Sequence, residues 1–90
     1  MTFSWDPEKD AANQRKHAVG FREAAGALED PLSTTYPDPG HSRGEHRYVT
    51  IGRSRLGRTM VVSHADRGDT IRIISARQAT RRERRFYEEG

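Results

Sequence analysis

The hydrophobic pattern changes period along the chain, from a helical repeat in the first third to alternation in the second half. Phe21, Ala24, Ala25 and Leu28 recur at the i, i+3, i+4, i+7 spacing of an amphipathic helix. That helix stops at Asp30-Pro31, because the residue before a proline is pushed out of the helical region. Upstream, Asp6, Pro7 and Glu8 make a helix start. The Asp6 carboxylate accepts from free backbone N–H groups, Pro7 suits the first helical position, and Glu8 faces the positive helix end. This first helix runs to about His17.

From Glu45 to Gly52 the pattern has period two, with Arg47, Val49 and Ile51 on one face and His46, Tyr48 and Thr50 on the other, as in a half-buried strand. A turn over Arg53–Gly57, a strand over Thr59–Ala65, a turn over Asp66–Asp69 and a strand over Thr70–Arg77 complete a three-stranded antiparallel meander. Leu32–Tyr36 adds a fourth, outer strand, which Pro31 and Pro37 confine to an edge. The stretch Tyr36–Gly44 is dense in turn residues and reads as a loop. Thr80 and Glu83 then form a capping box, each satisfying an orphan backbone donor, and open a last helix with Ala79, Glu83, Phe86 and Tyr87 on one face. The expected fold is α+β: two N-terminal helices, an antiparallel sheet of three to four strands and a C-terminal helix, in a single domain over residues 1–90.

Composition makes the core thin. Leu, Ile, Val and Phe together supply 14 of 90 residues, low enough to raise the question of disorder. A net charge of only +3 and the clustering of apolar residues in Tyr48–Ile51, Met60–Val62 and Ile71–Ile74 argue for a folded chain. With no cysteine, disulfides and thiolate metal or redox chemistry are excluded. No apolar run is long enough to span a membrane and no signal peptide stands at the start, so the expected location is the cytoplasm.

The positive charge is carried by 14 Arg against 2 Lys, with Arg81, Arg82, Arg84 and Arg85 in one short segment. Arginine's planar fork suits phosphate better than a point charge, although a solvated surface would use the same residues. His17, His41, His46 and His64 lack metal-ligand spacing, so no metal is expected; no phosphate-cradling glycine loop or nucleophile elbow is present. RNA cleavage by the 2′-hydroxyl needs little equipment, because the substrate brings its own nucleophile. The protein must hold the phosphate, neutralise charge on it and move two protons. Arg47 and Arg53 share a strand face, whereas the five-residue spacing of Arg72 and Arg77 sends them to opposite sides. His64, Glu83 and Tyr87 are proton-transfer candidates. Each also has a structural reading: His64 as a satisfied strand residue, Glu83 as capping group, Tyr87 with Phe86 as packing, and His17 as a helix-end residue.

Trp5, Asp6, Lys9, Asn13, Lys16, His17, Phe21, Ala24, Asp30 and Pro31 fit one pattern with His41, Ser42, Gly44, Glu45 and Arg47, then Gly52, Ser54, Gly57 and Arg58. The pattern ends on Arg72, Ile73, Ile74, Ser75, Ala76, Arg77, Ala79, Thr80, Glu83, Arg84 and Tyr87, and it resembles the BrnT family of type II toxins. The resemblance implies a fold related to RelE-like ribonucleases, metal-independent RNA cleavage without a cofactor, and a BrnA-type antitoxin with a ribbon-helix-helix DNA-binding part. Operator DNA is then met only through the antitoxin, and the partners are that antitoxin and RNA. Lys16, His17, Arg47, Arg72, Arg77, Glu83 and Tyr87 are the site residues it implies. With His64 they make the catalytic candidates, while Arg47, Arg53, Arg81, Arg82 and Arg85 are the RNA-binding ones. Ala18 departs from the pattern, which has glycine there. A left-handed helix end is costly with a side chain, so the first helix is expected to end elsewhere, at Gly20. The competing reading is a non-catalytic basic protein that binds nucleic acid or its antitoxin.

Overall fold

The computed structural model describes residues 1–41 and 44–90; Ser42 and Arg43, in the turn-rich stretch before the meander, lie outside the described residues. Among the described residues the order is β1 (Thr2–Ser4), α1 (Pro7–His17), α2 (Phe21–Leu28), β2 (Thr34–Pro37), a 3-10 turn (Pro39–His41), β3 (Arg47–Arg53), β4 (Thr59–Arg67), β5 (Thr70–Gln78) and α3 (Arg81–Glu88). The strands make one five-stranded sheet in the order β1-β5-β4-β3-β2. The expected three or four antiparallel strands thus become five, because Thr2–Ser4 pairs with Thr70–Arg72 in parallel. Three residues before the first helix carry no alternation long enough to announce a strand.

The meander and the edge strand β2 stand where the alternation places them, and Gly68 (φ 60°) takes the left-handed corner of the two-residue β4–β5 turn. Helices α1 and α2 cover one face of the sheet. Val19, Phe21, Ala24 and Ala27 pack there on Met60, Val62, Ile73 and Ala76. Gly52 makes the close approach of α2 possible, since a Cβ at that position would lie 2.4 Å from the Ala27 carbonyl oxygen. A polar brace fixes α2 at its other side: Arg58 donates to both carboxylate oxygens of Glu23, and Ser54 Oγ donates to Glu23 Oε2 at 2.7 Å. The Arg58 hydrogen bond, against the opposing cost of burial and with help from Ser54, lowers the Glu23 pKa. Among the described residues no helix is long and apolar enough to cross a membrane.

The first helix does not end at Gly20. Asp6 caps its start as expected, accepting from Glu8 N–H at 2.9 Å, and Ala18 itself takes the left-handed position (φ 57°, ψ 33°) and donates to the Gln14 carbonyl. Two surrounding contacts hold it there. Asn13 Nδ2 donates to the Val19 carbonyl at 2.9 Å, and Arg58 reaches the Ala18 carbonyl at 3.2 Å. Gly20, in extended conformation, instead precedes the first residue of α2.

Candidate functional site

Among the described residues, the second face of the sheet is only partly covered. Helix α3 leans on one end of it, where Ile51, Val61 and Ala79 pack with Val49 and Tyr87. The remainder is a shallow cleft of about 350 Å³ lined by His17, Val49, Val61, Ser63, Ser75 and Arg77. Its construction follows from strand register. Paired residues of antiparallel strands share a face, so Val49, Ser63 and Ser75 form one row across the floor, and Ile51, Val61 and Arg77 form the next. On the other side of the floor, Arg47, Ala65 and Arg72 make a third row.

This arrangement overturns the expectation that Arg72 and Arg77 point apart. Ser63 pairs with Ser75 but His64 pairs with Ile73, so Ile74 is an extra residue in β5. A bulge of one residue resets the alternation. From Arg72 to Arg77, six residues on β5 oppose the five of β4 from Val61 to Ala65, and both arginines face the open side of the sheet; the two consecutive half-buried positions Ile74 and Ser75 carry the same signature. Arg47 joins them from β3, with Nε 3.4 Å from Glu45, which also pairs with Arg67 at 2.7 Å.

His17 arrives from the opposite layer. Strand β1 pairs only with the first residues of β5, which leaves the edge open further along, and the Asn13 side chain pairs there with Ala76. Its Nδ2 donates to the Ala76 carbonyl at 2.8 Å, and the Ala76 N–H donates to Oδ1 at 3.2 Å. This buried amide locks the end of α1 to the sheet edge and sets His17, one turn later, at the rim beside Arg77. Lys16 is exposed on the same turn of α1.

At the other rim, the capping box of Thr80 and Glu83 forms as expected. Glu83 has a second task that the sequence did not announce: it receives Arg77 in a bidentate pair, at 2.8 and 2.9 Å. The Arg77 hydrogen bond outweighs burial, and with the Thr80 N–H it pulls the Glu83 pKa down to about 2. Glu83 is therefore a carboxylate at neutral pH and serves poorly as a general acid. Tyr87 donates to Asp30 Oδ2 at 2.5 Å, and Asp30 also accepts from Arg53 N–H at 2.8 Å and Leu32 N–H at 2.9 Å. The Asp30 hydrogen bond, followed by burial, raises the Tyr87 pKa. The sequence marks Asp30 as a helix stop and as part of the family pattern; its anchoring role depends on a partner 57 residues away. Arg53 lies over the Tyr87 ring, its Cζ 5.5 Å from the centroid.

Two sets of candidates lie away from the cleft. His64 faces the helix-covered side, 2% exposed, with Nε2 2.7 Å from Thr50 Oγ1, Nδ1 2.8 Å from Asp66 and the Tyr48 ring stacked on it. Arg81, Arg82, Arg84 and Arg85 are exposed along α3. Among the described residues, no three of His, Asp or Glu converge as a metal would require. The geometry thus brings together His17, Arg47, Arg72, Arg77, Glu83 and Tyr87, and separates them from His64.

A family model described as the ribonuclease toxin BrnT of type II toxin–antitoxin systems matches residues 5–83. Among solved structures, the chain is similar to the 1.1 Å crystal structure of the Brucella abortus ribonuclease toxin BrnT, with a TM-score of 0.70 and 23% identity over 90% of this chain and 99% of that one. That likeness bears on the fold. No curated protein matches the chain.

Proposed function

The chain belongs to the BrnT family of ribonuclease toxins of type II toxin–antitoxin systems, and from that premise we propose that it cuts RNA on the open sheet face without a metal. The 2′-hydroxyl attacks the adjacent phosphorus, the bond to the 5′-oxygen breaks, and the products are a cyclic phosphate and a free 5′-hydroxyl. One proton leaves the nucleophile and one reaches the leaving oxygen.

The observation that carries this reading is the placement of Arg47, Arg72 and Arg77 on one face with His17 at its rim. Three guanidinium groups suit the charge that grows on a pentacoordinate phosphorus. Histidine is the side chain whose ordinary pKa best suits moving protons near neutrality, so His17 is the proton-transfer group, with Lys16 adding charge beside it. Glu83 holds Arg77 in position, and Tyr87 ties α3 to Asp30; both are positioning residues. The exposed arginines of α3, with Arg53, extend the phosphate-binding surface. The family implies an antitoxin partner; a BrnA-type protein with a ribbon-helix-helix part fits that role, and the relation to RelE-like folds rests on helices packed against a largely antiparallel sheet.

The test is incubation of the purified chain, in excess EDTA, with a single-stranded RNA and its all-deoxy counterpart, followed by analysis of the product ends. Cleavage of RNA alone, leaving cyclic phosphate and 5′-hydroxyl ends, is expected. Loss of cleavage in EDTA that returns with added metal would overturn the metal-free mechanism, and absence of cleavage by folded protein would favour a binding module.

A further inference from the structure

Beyond the reacting centre, the open face carries an aromatic pair that the proposed chemistry leaves unused. Tyr36 of β2 pairs with Val49, so it stands in the Val49, Ser63, Ser75 row of the cleft floor, at the opposite end from His17. Phe86 of α3 leans over it, with ring centroids 6.0 Å apart at 50°. Both rings remain accessible, Tyr36 at 37% and Phe86 at 52%. Leaving so much aromatic surface in water costs free energy that burying it would recover.

Arginines stand close by, Arg47 among them paired with Glu45. Arg82 precedes Phe86 by one helical turn, on the same stripe of α3, and Arg85 is exposed beside it. Arg47 lies one row from Val49 and so is a diagonal cross-strand neighbour of Tyr36. Aromatic faces interleaved with arginines are what single-stranded nucleic acid requires: the base stacks and the phosphate pairs.

We propose that Tyr36 and Phe86 form a base-stacking subsite for a nucleotide of the RNA strand flanking the one that is cut. This rests on the open face being where RNA is cleaved. The aromatic pair and the His17 rim are separated by three strand spacings, roughly 14 Å, so the base held there belongs to a neighbour of the scissile nucleotide. Its identity then biases where the strand is cut.

Binding tests this independently of cleavage. A set of 2′-O-methyl oligoribonucleotides, unable to react, carries an abasic site at each position in turn, and affinity is read by fluorescence anisotropy. For the parent protein, one position is expected to be sensitive, with affinity falling roughly ten- to a hundredfold on loss of its base. Phe86→Ala, at an exposed position, should weaken binding of the intact oligonucleotide by a similar factor and become indifferent to that abasic site. Phe86→Trp should restore both. Tyr36→Leu, which keeps an apolar side chain on the edge strand, provides a second variant with the same expectation. Equal abasic penalties in parent and both variants would overturn the subsite, as would unchanged RNA affinity with weakened antitoxin binding, which would assign the rings to a protein contact. Cleavage of the all-ribose strand is scored separately. A protein that shows the stacking signature without cutting RNA would refute the proposed reaction and leave the subsite standing, whereas absence of any RNA binding would refute both.

Discussion

Glu83 holds the N-terminus of α3 and the guanidinium of Arg77 with one carboxylate, so its charge is a stability term that pH can remove. Its pKa is lowered to about 2 in the folded protein from an ordinary 4.5. A depressed carboxyl pKa stabilises fully above the unfolded value and ceases to do so as the pH falls through the folded one. Glu83→Gln is expected to cost about 1 to 3 kcal/mol at pH 7, and the deficit should shrink below about pH 4.5 and vanish towards pH 2. Urea unfolding of both proteins across that range measures it; a deficit that does not depend on pH would show that the charge is not what matters. His17→Ala should instead leave stability nearly untouched and lower kcat by roughly 10² to 10⁴, while Glu83→Gln, whose amide oxygen can still accept from Arg77, should lower it less. Ala18 offers a test in the stabilising direction, because an L-residue in the left-handed region pays about 1 to 2 kcal/mol that glycine avoids, less the chain entropy glycine loses. Ala18→Gly should therefore raise stability by about 0.5 to 1 kcal/mol net, read as a higher Tm; an unchanged or lower Tm would mean that the contacts of Asn13 and Arg58 already absorb the strain. At this scale the sequence was legible where partners are neighbours. The capping box joins residues three apart and is visible, whereas the pairs Arg77–Glu83, Tyr87–Asp30 and Asn13–Ala76 need the fold to bring them together.

Elements with many periods are legible in the sequence, and the shortest strand is not. The three long strands alternate over seven to nine residues, enough for period two to declare itself; β1 has three residues and gave no signal. The bulge at Ile74 is the instructive failure. Counting by twos along Thr70–Arg77 separates Arg72 from Arg77, and nothing in Ile73, Ile74 and Ser75 says that one of them falls out of step. Only the β4 pairing shows it, and that single extra residue decides whether β5 gives the open face both Arg72 and Arg77 or only one of them. Layer spacing is similarly decided at one position, Gly52, where α2 crosses β3 with no room for a methyl group. Gly52→Ala should push α2 from the sheet and destabilise the fold by about 1 to 3 kcal/mol, measured by thermal or urea unfolding. A neutral substitution would mean that α2 can shift at little cost and that its contact with the sheet is looser than the 2.4 Å approach to the Ala27 carbonyl indicates.

For the molecule as a whole, the decisive asymmetry is that two helices seal one face of the sheet while, among the described residues, the helix on the other is α3, eight residues long with no buried side chain. Under the proposed mechanism that asymmetry would serve the reaction, since a strand of RNA needs an open floor with cations at its margins. It also limits stability, because Val49 and its neighbours on the floor gain only part of the burial that a second layer would provide. An antitoxin that covers this face would both exclude RNA and complete the missing layer, so inhibition and stabilisation should arrive together. Ligand linkage sets the size: a partner at a hundred times its Kd adds about 2.7 kcal/mol, and for a domain near this length each kcal/mol moves Tm by roughly 4–8 °C. The complex should thus melt about 10 to 20 °C above the isolated chain. Calorimetry on the toxin alone and on the purified complex, with RNA cleavage assayed on the same samples, tests both consequences. Equal melting temperatures would place the antitoxin off the open face or leave that face needing no cover, and full cleavage by a stabilised complex would separate the two roles that the one-sided architecture joins.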